Sequence, residues 1–208
     1  DLNGDIGRSA IVETPFLDTG ALLAHLDYLG IERSLVSHVS GREQNPTVGN
    51  RVLLEELAAD PAARGRLYPV LTINPATFYE TGGMASLREA LASGQVRALA
   101  TFPGTCRHPL LQLEPVLAGL ADLRPVILWN TRENPYGELD YRDLVALATA
   151  LPEVTFGCCK KMWGGFISVL DAMRRCPNIC VDISWLHMRR TIELLVQEFG
   201  AERVFFGT

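Results

Sequence analysis

Apolar and polar positions along the chain follow two alternating patterns, one typical of strands and one typical of helices. Short, nearly continuous apolar runs predict eight strands, over residues 1–7, 33–40, 66–75, 95–104, 124–130, 154–163, 178–186 and 202–208. Between them, apolar residues at helical spacing predict seven helices, over residues 14–30, 45–60, 83–94, 113–123, 141–152, 165–177 and 189–200. The pattern repeats every roughly 25 to 35 residues, which is the span of a βαβ unit.

This alternation predicts an α/β fold with parallel strands buried on both faces. Eight such units close most economically into a (β/α)8 barrel. The competing fold is a doubly wound open sheet, but the sequence contains no G-x-G-x-x-G or Walker motif. No linker or low-complexity tract interrupts the repeat, so residues 1–208 are predicted to form one domain. The eighth helix is missing from this sequence, and we expect the natural chain to extend beyond both ends.

The net charge of the chain limits which kinds of partner it can bind. The chain has 208 residues, 48% of them hydrophobic, with a net charge of -5 and a pI near 5.4. This charge argues against nucleic acid and against an anionic membrane surface as partners. No apolar run approaches the ~20 residues of a membrane span.

Five cysteines, an odd number, suit a reducing, cytoplasmic location. Cys176 and Cys180 could supply half of the ligands of a zinc site, but we expect both to act as small buried hydrophobic side chains.

The opening segment, DLNGDIG, places acidic and amide side chains at alternate positions, as a calcium loop does. An EF-hand loop needs Gly at its sixth position and Glu at its twelfth, where this chain has Ile6 and Val12. The segment is therefore predicted to be a strand with Asn3 and Asp5 on one face.

Active sites of such barrels lie at the carboxyl ends of the strands, so polar residues there are the candidates. Asp5, Asp182, His187 and Lys161 are predicted to be catalytic, with His187 as a general base oriented by a carboxylate. The predicted substrate-binding residues are Arg97, His38, Asn130 and Trp129. Either Lys160 or its neighbour Lys161 faces inward, and such a lysine could instead form a Schiff base.

The sequence also resembles a known family. The segments LDYLGIERSLVSH, GNRVLLEELAAD, RLYPVLTINP, PNICVDIS and EFGAERVFFGT, together with the opening D-x-N-x-D-I-G, are similar to the amidohydrolase-related barrels that include aminocarboxymuconate-semialdehyde decarboxylase. The likeness covers the whole chain. It implies a metal-dependent hydrolase or decarboxylase acting on a small molecule, and a homodimer.

The metal ligands that this resemblance implies are absent. Relatives carry His-x-His on the first strand and His at the end of the fifth, where this chain has Asn3, Asp5 and Asn130. These three are the weak candidates for metal ligands, and they could hold magnesium loosely. A carboxamide oxygen is a poor zinc ligand, so a tight zinc site is not expected. The prediction is no cofactor, or a weakly held divalent zinc or magnesium ion.

The sequence is compatible with three functions. The first is an amidohydrolase-like hydrolase or decarboxylase acting on a small carboxylated or cyclic substrate. The second is a lyase that forms an imine on Lys160 or Lys161. The third is a metal-free barrel that is not an enzyme and acts as a binding or assembly partner.

Overall fold

A computed structural model describes residues 1–11, 13–130, 138–160, 165–186 and 188–207 of the chain. Eight strands form one sheet in sequence order, and every neighbouring pair is parallel. The strands are β1 (Gly4–Ile6), β2 (Ser34–His38), β3 (Leu67–Thr72), β4 (Ala98–Thr101), β5 (Val126–Asn130), β6 (Thr155–Cys159), β7 (Ile179–Asp182) and β8 (Val204–Phe205). The predicted number, order and direction of the strands are confirmed.

Helices connect the strands and cover the outer face of the sheet. They are α1 (Thr19–Leu29), α2 (Val39–Glu43), α3 (Pro46–Ala59), α4 (Gly83–Ala92), α5 (Pro103–Cys106), α6 (Glu114–Ala118), α7 (Glu138–Ala150), α8 (Phe166–Arg175) and α9 (Thr191–Phe199). Short 3-10 turns lie at 61–63, 75–78, 110–113, 121–123 and 201–203. None of the helices in the described part of the chain is long and apolar enough to cross a bilayer.

The ends of the helices follow from local chemistry. The side chain of Asp18 accepts a hydrogen bond from the Ala21 amide at 2.8 Å and so begins α1. Gly30, in the left-handed conformation, ends the same helix. Asn45 accepts from the Val48 amide at 3.1 Å, and Pro46 stands in the first turn of α3.

Two separate apolar cores lie on opposite faces of the sheet. The larger lies between strands and helices and includes Leu99, Ile127, Trp129 and Phe156. The smaller is formed by residues that alternate along the strands with those of the larger core, and by Phe102 just after β4. Its members are Val70, Ala98, Ala100, Phe102, Leu128 and Cys159. Side chains of the smaller core also line a cavity of about 30 Å³ together with residues of β1 and β2, so they fill the inside of the curved sheet.

The sheet curls until its first and last strands approach each other. Asn3, just before β1, donates from Nδ2 to Ser184 Oγ beyond β7 at 3.3 Å. A Cβ atom on Gly207, after β8, would collide with the Asn3 side chain. Among the described residues no backbone ladder joins β8 to β1, so the ends meet through side chains. The (β/α)8 prediction is confirmed, and β8 is the last element described.

Candidate functional site

Polar side chains collect at the carboxyl ends of the strands, above the inner apolar core. Asp5 and Ser37 lie opposite each other on the paired strands β1 and β2. Asn130 ends β5, Lys160 follows β6 and Asp182 ends β7. The inner cavity is lined by Asp5, Ser37, Asn130 and Lys160 in addition to its apolar residues. The barrel therefore brings together Asn3, Asp5, Asn130 and Asp182, as the sequence predicts.

Asp5 lies at the centre of this group. Its Oδ1 accepts a hydrogen bond from the Ser37 hydroxyl at 2.5 Å, and its Oδ2 lies 2.6 Å from Nη1 of Arg42. Burial alone would raise the pKa of the Asp5 carboxyl. The charges of Arg42 and Lys160 and the two hydrogen bonds outweigh burial and hold that pKa below its ordinary value. Asp5 is therefore a carboxylate at neutral pH.

Arg42 is carried by α2, whose position depends on close backbone packing. A Cβ on Gly41 would lie 2.6 Å from Thr72 Oγ1 on β3, and a Cβ on Gly49 of α3 would collide with the Gly41 backbone. Only glycine at both positions lets α2 sit this close to α3 and β3. The Arg42 guanidinium then lies 5.3 Å from the centre of the Phe102 ring, which adds a cation–π contact.

Asp182 is almost completely buried and holds the backbone around it. Its Oδ2 accepts from the Lys160 amide at 2.8 Å, and its Oδ1 accepts from the Ser184 amide at 2.5 Å. Lys160 has a left-handed backbone, with φ of 54°, which is uncommon for a residue other than glycine. The Asp182 carboxylate thus fixes the turn that ends β6 and holds Lys160 in position at the mouth of the barrel.

A larger cavity of about 250 Å³ opens beside this polar group. Its polar wall includes Asn3, Asp5, Arg42 and Lys160. Its other walls come from the loop between β1 and α1, from α1 and from the chain before β1 and after α1. They are formed by Asp1, Glu13, Thr14, Pro15, Phe16, Leu22, His25, Leu26, Leu29 and Ile31. A site that joins a few convergent charges to an apolar wall is typical of small-molecule binding.

The loop between β1 and α1 is tied to the site through Glu43. Glu43 accepts from the Ser9 hydroxyl at 2.7 Å and from the Ala10 amide at 2.8 Å. Its Oε1 lies 4.0 Å from Nε of Arg42. Glu43 therefore connects the loop that walls the cavity to the helix that carries Arg42.

Two predicted substrate-binding residues lie elsewhere. Trp129 is fully buried in the outer core, where its ring meets that of Tyr141 edge-on at 5.2 Å. It cannot share the inner face with its strand neighbour Asn130, because successive strand residues point to opposite faces. Arg97 is exposed and precedes β4, so it lies at the amino end of the barrel, away from the mouth. The predicted positions of both residues are wrong.

His38 lies at the rim and faces outward. Its Nδ1 accepts from the Ser40 amide at 3.2 Å, its Nε2 is 4.0 Å from Glu56, and a Cβ on Gly7 would collide with its ring. Burial lowers the pKa of this imidazole. The hydrogen bond requires an unprotonated Nδ1, and His38 does not line either of the two cavities at the polar group. Lys161 and His187, both predicted to be catalytic, lie outside the described residues.

The polar group does not suit a divalent metal ion. Asp5 is already paired with one cation and lies close to another, while both oxygens of Asp182 accept backbone hydrogen bonds. Asn3 and Asn130 offer amide oxygens, which are weak ligands without a carboxylate set. In the described part of the chain, no three His, Cys, Asp or Glu side chains come together in a way that could hold a metal.

Comparisons with known proteins bear on the fold. No protein-family model and no curated protein matches the sequence. Among solved structures, an uncharacterised TIM-barrel protein from Bordetella bronchiseptica superposes with a TM-score of 0.70 at 19% identity, over 92% of this chain and 69% of that one. A manganese-bound 5-carboxyvanillate decarboxylase from Novosphingobium aromaticivorans gives 0.65 at 14% identity, over 90% and 69%.

An amidohydrolase from Mycobacterium avium subsp. paratuberculosis gives a TM-score of 0.63 at 12% identity, over 93% of this chain and 64% of that one. Identities this low show a shared fold and no more. The resemblance to amidohydrolase-related barrels seen in the sequence is thus confirmed as a likeness of fold. These neighbours include a decarboxylase and an amidohydrolase.

Proposed function

We propose that this protein is an enzyme that hydrolyses or decarboxylates a small carboxylated or cyclic substrate at the mouth of the barrel. The observation that carries the proposal is the convergence of Asp5, held ionised by Arg42, with Lys160 and Asn130 beside a cavity of about 250 Å³. Neighbours of the same fold that act as decarboxylase and amidohydrolase support this class of reaction.

In this proposal each side chain has a separate task. In hydrolysis Asp5 accepts a proton from the attacking water and passes it to the leaving group, and in decarboxylation it relays a proton from water to the carbon that loses CO2. Ser37 and Arg42 fix its orientation. The Lys160 ammonium neutralises negative charge that develops on the substrate, and the Asn130 amide orients it. Phe16 and Leu22 on the opposite wall exclude water from the apolar part of the substrate.

The test is an activity screen of the purified chain with lactones, amides, β-keto acids and aromatic carboxylic acids. We expect turnover of at least one compound, and Asp5→Asn should lower that turnover by about 10²-fold or more, because it removes the proton acceptor. Asp171→Asn is the matched control, since Asp171 is exposed on α8 and pairs with Arg175 there. It should leave turnover unchanged.

Two results would contradict the proposal. Tight binding of a panel member without any turnover would identify a non-catalytic binding barrel. A mass adduct on Lys160 or Lys161 after borohydride treatment with a carbonyl compound would identify imine chemistry instead.

A further inference from the structure

We infer that the Arg42 guanidinium stands beside Asp5 where a divalent metal ion would otherwise bind. The site then has a positive charge of its own and works without a metal ion. This inference rests on the proposed function only in locating the reaction at Asp5. It concerns the charge and the donor atoms at the barrel mouth, which can be tested without a substrate.

Arg42 and Asp5 form an ion pair at contact distance. Arg42 Nη1 approaches Asp5 Oδ2 to 2.6 Å, which is the separation of a direct charge-assisted hydrogen bond. Both side chains are largely shielded from solvent, with 15% of Arg42 and 23% of Asp5 exposed. A divalent ion bound to Asp5 would meet a fixed positive charge at contact distance, and Coulomb repulsion at that distance is large in a partly buried site.

Arg42 is fixed in position. Its helix is packed against α3 and β3 at the two glycines, its guanidinium lies 5.3 Å from the centre of the Phe102 ring, and Glu43 Oε1 lies 4.0 Å from its Nε. The side chain therefore cannot swing away from Asp5 without breaking several contacts. A metal would have to displace an anchored cation rather than a mobile one.

Among the residues that the structure describes at the mouth, the remaining donors do not compensate for the pairing of Asp5 with Arg42. Both oxygens of Asp182 already accept hydrogen bonds, from the Lys160 and Ser184 amides, so an ion would compete with these amides for the charge of the carboxylate. Asn3, whose amide nitrogen donates to Ser184, offers only a neutral amide oxygen to an ion. A site with one cation-paired carboxylate and amide oxygens is too poor in negative charge for a hard divalent ion.

The experiment is a titration of the chelator-treated protein with Mn²⁺ alone, followed by isothermal calorimetry and by the electron paramagnetic resonance signal of free Mn²⁺. The wild-type chain should show no saturable binding up to millimolar metal. Arg42→Met should bind Mn²⁺ at least about tenfold more tightly than wild type, because a unit charge in contact with the ligand is removed. The double variant Asp5→Asn/Arg42→Met should lose that gain.

Arg51→Met is the matched control, since it removes an exposed arginine of α3 that pairs with Glu55. It should leave Mn²⁺ binding at the wild-type level. Stoichiometric Mn²⁺ binding by the wild-type chain that Asp5→Asn abolishes would overturn the inference, and so would Arg42→Met showing no Asp5-dependent gain. Asp5-dependent Mn²⁺ binding by the wild-type chain would overturn the inference even if Arg42→Met fails to fold, and Arg42→Gln, which keeps a polar side chain but removes the charge, is the second variant for the expected gain. Because no substrate is present, a failure here is distinct from a failed activity screen.

Discussion

The Asp5 carboxylate and the Arg42 guanidinium lie 2.6 Å apart although 37 positions separate them in the sequence. The pair joins the first strand to the short helix that follows the second strand. It stands at the end of the barrel where the chemistry of this fold takes place. The protein therefore places a fixed ion pair at the mouth, and the following predictions depend on it.

The first prediction concerns stability and pH. Arg42→Met should lower the free energy of unfolding by about 1–3 kcal/mol at pH 7, because it leaves the partly buried Asp5 carboxylate without its partner. The pKa of Asp5 is below its ordinary value in the folded protein, so its contribution is complete above that ordinary value, about 3.9. It is lost as the pH falls through the lower, folded value.

The difference between wild type and Arg42→Met should therefore shrink as the pH falls below about 4. Urea unfolding at neutral and acidic pH measures it. The control is Arg51→Met, whose exposed ion pair with Glu55 should be worth no more than about 0.5 kcal/mol. A difference between wild type and Arg42→Met that stayed constant down to pH 3 would show that the two groups are not coupled.

The second prediction concerns the packing that positions α2. Gly49→Ala should destabilise the protein by more than about 1 kcal/mol, since the added methyl group meets the backbone of Gly41 and Ser40. It should also displace Arg42 and so reduce activity. Gly20→Ala is the control, because Gly20 lies in helix α1 with only the Asp18 carboxylate near its Cβ, at 3.4 Å.

Gly20→Ala should be neutral or stabilising by up to about 1 kcal/mol, because alanine favours the helix more than glycine does. Thermal unfolding of both variants measures the contrast. Equal melting temperatures would mean that α2 and α3 are not in close contact.

The third prediction separates packing from ligand binding at Trp129. Trp129→Phe should lower the free energy of unfolding by about 1–3 kcal/mol, because it empties space in the outer core beside Tyr141. The KM of any substrate found in the screen should not change, since the ring faces away from the mouth. A rise in KM without loss of stability would show that Trp129 contacts the substrate. Arg97→Ala, on the exposed amino end, should change stability by less than about 0.5 kcal/mol.

The fourth prediction concerns the turn after β6. Asp182→Asn keeps one acceptor oxygen but sets an amide NH₂ against the Lys160 or the Ser184 amide. It should cost about 1–3 kcal/mol of stability and reduce turnover, because Lys160 loses its fixed direction. Denaturant unfolding and steady-state kinetics measure the two effects. Full activity in a destabilised variant would show that the position of Lys160 does not matter to the reaction.

The fold was predictable from the sequence because parallel strands buried on both faces read as continuous apolar runs. The same logic located Asp5, Asn130 and Asp182, since each lies in a strand or ends one and the barrel brings such positions together. Strand parity would also have excluded Trp129, because it and Asn130 are adjacent and Asn130 faces inward.

Arg42 could not be predicted in the same way. Helix α2 has five residues and no apolar periodicity, and the segment reads as a loop after a strand. Its function arises from a contact between distant parts of the chain, made possible by Gly41 and Gly49. Gly41 in α2 and Gly49 near the start of α3 were the one local signal of such close packing.

The central claim is that Arg42 holds Asp5 as a carboxylate at the mouth of the barrel. A ¹³C nuclear magnetic resonance titration of the Asp5 carboxyl carbon, in wild type and in Arg42→Met, tests it most directly. We predict that Asp5 titrates below its ordinary pKa in the wild type and that this pKa rises in Arg42→Met. An ordinary pKa in the wild type that Arg42→Met leaves unchanged would contradict the claim.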